Sequence, residues 1–232
     1  MKIITPDQIE HVAWQGNLEP QRALEFKGGM EAAKVTIADP ETWPVEAAMQ
    51  AEIGKTWTPP SGDKRYTLAR LAFTLHPPQE SRTRYTEATL SAFLRPVSGS
   101  AAVIAHDLYP QRITAPGNKG KFSVGLEATL KFTEAVEIGG PKLGYEIEFQ
   151  KDLPVVQAFG LGESDPYWRF AHHNKNPLLG CTSVYLVIAA PQGIDSVQIG
   201  IELVAALETR FGPIRLGLPE HAQNYVMRRI TV

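Results

Sequence analysis

The chain is predicted to be mainly β: an antiparallel β-sandwich of immunoglobulin-like or jelly-roll type over residues 62–232, preceded by an acidic N-terminal extension, residues 1–61, of mixed structure with one short helix. Three observations predict this class. Apolar residues alternate with polar ones at a period of two in several runs, the pattern of strands with one buried face. Turn residues punctuate those runs, with 19 Gly and 18 Pro in 232 residues, a modest excess that fits many turns. Helical periodicity is weak outside two short stretches.

In the extension, Asp39-Pro40-Glu41-Thr42-Trp43-Pro44 reads as a helix start, because proline is tolerated in a first helical turn, and the helix is expected to run through Ile53. Trp57-Thr58-Pro59-Pro60-Ser61-Gly62-Asp63 reads as the connector into the sandwich. The next strand falls near 66–76 with Leu71, Phe73 and Leu75 inward, and His76-Pro77-Pro78 ends it, since proline has no N–H for a sheet ladder. A strand near 84–95 follows, with Ala88, Leu90, Ala92 and Leu94 inward.

The clearest pattern begins at Phe122. Phe122, Val124, Leu126, Ala128, Leu130 and Phe132 alternate with Ser123, Gly125, Glu127, Thr129 and Lys131. A second run sets Leu143, Tyr145, Ile147 and Phe149 against Gly144, Glu146, Glu148 and Gln150. Turn chemistry lies between them in Glu137-Ile138-Gly139-Gly140-Pro141-Lys142, so residues 122–150 are predicted as one long antiparallel hairpin, half buried and half wet. Val184-Tyr185-Leu186-Val187-Ile188 is apolar on both faces, as a central strand requires. Pro191-Gln192-Gly193 then turns the chain into Val197, Ile199, Ile201 and Leu203. Ile201 to Phe211 also fits a helix, with Ile201, Val204, Ala205 and Glu208 at helical spacing and Ala205-Ala206-Leu207 favourable in propensity. Tyr225 to Val232 reads as a last strand, with Arg228 and Arg229 on opposite faces.

Composition excludes several classes. A formal net charge of −2 argues against a protein that neutralises nucleic-acid phosphates. A single cysteine excludes an internal disulfide framework, and no Cys/His ladder has zinc spacing, so neither a metal nor a cofactor is predicted. The longest uninterrupted apolar run, Val184–Ala190, is far short of the roughly 20 residues of a membrane helix, and the start Met1-Lys2-Ile3-Ile4-Thr5-Pro6-Asp7 carries no apolar signal segment. These two points predict a cytoplasmic protein without membrane insertion.

Motifs for chemistry are sparse. Gly160-Leu161-Gly162-Glu163-Ser164-Asp165 lacks the third glycine of a dinucleotide fingerprint, and Gly117-Asn118-Lys119-Gly120-Lys121-Phe122 lacks both the first glycine and the closing Ser/Thr of a phosphate loop. No nucleophile elbow or His-Glu-x-x-His pair is present. The segment 160–180 concentrates glycine, aromatics and adjacent histidines, and Trp168, Arg169, His172, His173, Asn174 and Lys175 are its candidate binding residues. Within it, Trp168 with Phe170 fits a strand face packed into the core, the alternative being a stacking platform. His173, Asn174 and Lys175 are expected at the surface, with Trp168, Leu186 and Ile188 buried.

Together these readings predict a non-enzymatic protein–protein interaction or regulatory binding module of a cytosolic multi-component system, its partner another protein. Two alternatives are a sandwich that binds a glycan or small polar metabolite through the 160–180 loop, and a Cys/His-dependent hydrolase using Cys181 with His172 or His173.

Overall fold

The computed structural model describes residues 11–21, 33–45, 61–79, 82–113, 121–125, 132–134, 144–148, 155–173, 177–210, 212–224 and 226–232. Its strands in the first half are β1 (Val12–Asn17), β2 (Glu19–Pro20), β3 (Lys34–Ala38), β4 (Glu41–Pro44), β5 (Lys64–Leu75), β6 (Arg84–Pro96), β7 (Ile104–Tyr109), β8 (Arg112–Ile113) and β9 (Lys121–Gly125). The second half adds β10 (Phe132–Glu134), β11 (Gly144–Glu148), β12 (Val155–Phe159), β13 (Tyr167–Ala171), β14 (Gly180–Pro191), β15 (Ser196–Thr209), β16 (Gly212–Gly217) and β17 (Met227–Thr231). Helical conformation among the described residues is assigned to the 3-10 turn Glu220–Asn224 and to Val45.

Alternation in sequence becomes two large antiparallel sheets. One has the order β1-β3-β5-β14-β7, with β4 also on β5, and the other β2-β16-β15-β6-β13-β12-β8, with β17 on β15. Strands from the N-terminal segment enter both: β3 and β4 pair with β5, and β2 pairs with β16. The apolar positions of the two sheets form one core. Ile37, Leu71, Phe73 and Leu186 come from the first sheet, and Tyr85, Leu90, Leu94, Trp168 and Phe170 from the second. Phe73 meets Phe170 edge to face at 5.2 Å. Each such side chain contributes about 1.5–3 kcal/mol by leaving water, so the inter-sheet layer dominates stability. The strand near 66–76, the strand near 84–95 and the central strand around Val184–Ile188 all appear as expected; β14 lies between β5 and β7 and is buried on both faces. Trp168, Leu186 and Ile188 are fully buried, as expected.

Three local expectations change. Glu41–Pro44 is a strand and not the start of a helix, pairing Glu41 with Arg70 and Trp43 with Leu68. The cause is tertiary: the guanidinium of buried Arg70 donates to the Glu41 carboxylate, which draws this stretch onto β5. Of the helix expected to follow and run through Ile53, only Val45 is described, and it is helical; residues 46–53 lie outside the described residues. The helical alternative for Ile201–Phe211 gives way to β15, where pairing with β6 and β16 outweighs the propensity of Ala205, Ala206 and Leu207.

The predicted hairpin over 122–150 is also only partly as expected. β9 and β11 do pair antiparallel, Phe122 with Ile147 and Val124 with Tyr145. However, β10 folds back on the other side of β9, with Val124 opposite Phe132. The run Phe122–Phe132 is thus divided between two strands of a separate three-stranded sheet, β10-β9-β11, and β10 lies beside β7.

Candidate functional site

β8 and β12 are neighbours, with Ile113 opposite Val156 and Arg112 opposite Gln157. The whole stretch 114–154, which carries both alternating runs, therefore leaves and rejoins the eight-stranded sheet at adjacent positions. Ile113 and Val156 are buried in the common core, so both ends of the stretch are anchored. In sequence, apolar positions alternate with polar ones along the stretch. The polar positions include Glu127, Lys131, Glu146 and Glu148. Lys121 opens strand β9, where a phosphate loop is followed by a helix. Residues 117–120 lie outside the described residues.

In the 160–180 segment the structure describes Trp168, Arg169, His172 and His173 of the candidate residues. Trp168 pairs with Ala158 on one side and Leu90 on the other and is fully buried, so its ring stays in the core and offers no platform to a ligand. Its indole N–H has no hydrogen-bond acceptor. Arg169 faces outward and donates to the Glu87 carboxylate at 2.6 Å, and Arg215 approaches the same carboxylate at 3.8 Å. The paired carboxylate holds the Arg169 guanidinium above its ordinary pKa through hydrogen bonding first and charge second. His172 donates its backbone N–H to Thr86 and is half-buried. Burial chiefly, then the positive charges of Arg84 and His173, keep its imidazole below the usual histidine range. His173 is also half-buried, short of the exposure expected for it. Asn174 and Lys175 lie outside the described residues.

The turn before Trp168 is rigid. Gly160 adopts φ +84°, and a Cβ there would come within 2.8 Å of the Pro166 backbone, so only glycine fits. The loop is stitched to the body by Ala105 N–H to Glu163, Gly162 N–H to Ala105 and Leu94 N–H to Ser164. Cys181 is the second residue of β14, opposite Thr74, and is partly buried. His106 stands 5.1 Å from the Tyr66 ring, while Asp107 is buried, its carboxylate accepting from the Leu108 N–H and the Gln111 amide. Among the described residues, no group of three His, Cys, Asp or Glu could hold a metal ion.

No family model matches the sequence. No curated protein matches it either. Among solved structures, the chain is similar to a Clostridium perfringens delta-toxin at 9% identity, covering 86% of this chain and 89% of that one with a TM-score of 0.41. It is similar to a pore forming protein at 8% identity, with 88% and 92% covered and a TM-score of 0.41. It is also similar to the Clostridium perfringens NetB toxin in the membrane inserted form at 9% identity, with 93% of each chain covered and a TM-score of 0.34.

These neighbours correct the functional expectations. A cytosolic interaction module, with its glycan-binding and Cys/His hydrolase alternatives, gives way, as do the cytoplasmic location and the absence of membrane insertion: one neighbour forms pores and another is inserted in a membrane. Apolar run length is a criterion for helices only. A search for roughly 20 continuous apolar residues finds only helices, whereas a strand crosses a bilayer in about 9–11 residues of which half are polar. Accordingly, the lack of any long apolar helix among the described residues says nothing about crossing by strands.

Proposed function

We propose that this protein permeabilises membranes, with residues 114–154 entering the bilayer as an amphipathic β-hairpin that joins copies of itself in a closed barrel, while the two large sheets remain outside as a β-sandwich body. The observation that carries this reading is the opposition of Ile113 and Val156, with two alternating runs between them. A segment anchored at neighbouring points can change its own pairing while the ladders on either side persist.

In that barrel Val124, Leu126, Ala128 and Leu130 face lipid, and Glu127, Thr129 and Lys131 face a water-filled lumen. Closure is required because an open hairpin would leave unpaired backbone groups in hydrocarbon. The turn at Glu137–Lys142 supplies the polar tip that reaches the far side.

Dye release from lipid vesicles tests the reading. Wild-type protein releases the dye. Leu126→Arg abolishes release, because an arginine facing the bilayer midplane costs about 2–4 kcal/mol per strand. Thr129→Arg, on the lumen side, retains release and shifts the pore toward anions. Equal loss from both substitutions would overturn the assignment of faces, and no release by the wild type would overturn the function.

A further inference from the structure

The outward face of the eight-stranded sheet is not uniformly polar. At its centre β6, β15 and β17 set Phe93, Gly200 and Met227 side by side in register. Gly200 leaves the floor bare: the nearest side-chain atoms to a Cβ placed there are those of Phe93 at 3.6 Å and Met227 at 3.7 Å. The result is a groove of about 380 Å³, walled by Phe93 and Met227, with Arg95, Gln198 and Glu202 at its rim. That volume falls in the range of small-molecule sites.

The rim charges decide what it fits. Arg95 is already matched, its guanidinium lying 2.5 Å from the Asp165 carboxylate. Gln198 donates its amide to the Met227 sulfur at 3.5 Å, which holds that side chain over the groove. Glu202 is exposed and has no cationic partner among the described residues, so the groove carries one uncompensated negative charge beside an aromatic ring. A carboxylate with an aromatic face and a polarisable thioether attracts a cation whose own surface is apolar.

We propose that this groove binds a small alkylammonium ion, a quaternary ammonium above all, with the cation against Phe93 and its charge answered by Glu202. The site is independent of the membrane reading above, since it uses none of residues 114–154. A quaternary ammonium loses little hydration on entering and fills the space above Gly200, which a hydrated metal cation does not do.

The test is an NMR titration of the intact protein with tetramethylammonium chloride, referenced to sodium chloride at equal ionic strength. Saturable shifts at the Gly200 amide and the Met227 methyl are expected with the organic cation alone. Glu202→Gln, a change at an exposed position, weakens binding about fivefold or more, and Phe93→Leu does the same while keeping apolar bulk. Gly200→Ala fills the floor without strain and weakens binding with the charge intact. Identical shifts from both salts, or affinity unchanged in Glu202→Gln, would overturn the proposal.

Discussion

Ile113 and Val156 stand opposite each other on adjacent antiparallel strands, each buried in the core that joins the two large sheets. The stretch between them is therefore an excursion from a single point. Replacing residues 116–152 by a short Gly/Ser linker keeps the β8–β12 ladder, because a shorter loop lowers the entropy of closure. The expected product melts cooperatively, retains the near-ultraviolet signal of buried Trp168, and releases no dye from vesicles. A product that fails to melt cooperatively would show that 114–154 is needed by the body itself.

A cross-link addresses the fold-back. Val124 lies directly opposite Phe132 on antiparallel strands, so Val124→Cys with Phe132→Cys in a Cys181→Ser background sets two thiols at a cross-strand pair for oxidation to a disulfide. If the run Phe122–Phe132 must extend into one strand to cross the bilayer, the oxidised protein is inactive in vesicle release and reduction restores it. Full activity of the oxidised protein would exclude a straightened run.

Much of the body was legible in the sequence because period-two patterning and proline punctuation act locally. Leu71, Phe73 and Leu75, or Ala88 through Leu94, declare their buried face without reference to any partner. What was not legible depends on partners distant in sequence. Nothing local to Asp39–Pro44 reveals that Arg70 lies across from Glu41. Nothing in Phe122–Phe132 reveals where the chain reverses, since its alternation is uniform. The groove at Gly200 exists only through the registers of β6 and β17 against β15, whose residues are more than 100 positions from Phe93 and roughly 30 from Met227.

Trp168 offers a test of core against surface. Among the described residues it is the largest fully buried side chain, set between Ala158 and Leu90. Trp168→Ala is expected to cost about 3–5 kcal/mol through lost burial and a residual cavity. Urea denaturation measures it. A change within about 0.5 kcal/mol, the usual size at a surface position, would contradict the packing described above.

The Arg70–Glu41 pair predicts an asymmetry. The Arg70 side chain is 7% exposed and that of Glu41 30%. Glu41→Ala leaves a buried guanidinium without its partner and is expected to cost about 1–3 kcal/mol, below the range for fully buried pairs because Glu41 keeps some water. Arg70→Met removes the charge while keeping the stem, and is expected to be milder. Urea midpoints of the two variants decide it; equal losses would mean that packing of the arginine stem, not its charge, holds β4 to β5.

The histidines set a pH limit. His106 and His76 both lie below the ordinary value of 6.5, burial being the main cause in each, followed by Lys64 for His106 and Lys34 for His76. The native state thus resists protons that the unfolded chain accepts. As pH falls through the ordinary histidine range, the unfolded state gains protons first, and stability declines until the depressed native pKa is reached, where the loss levels off. His106→Gln removes one such group, so its urea midpoint should fall less than that of the wild type between about pH 7.5 and about pH 5. His76 offers a second case, since its ring nitrogen lies 2.8 Å from the Thr36 hydroxyl and links β3 to the end of β5. His76→Gln should likewise flatten the profile, and the double variant should flatten it further, the two groups being separate titrations. Wild type and double variant with parallel profiles would place the acid sensitivity in other groups, His172 or the carboxylates.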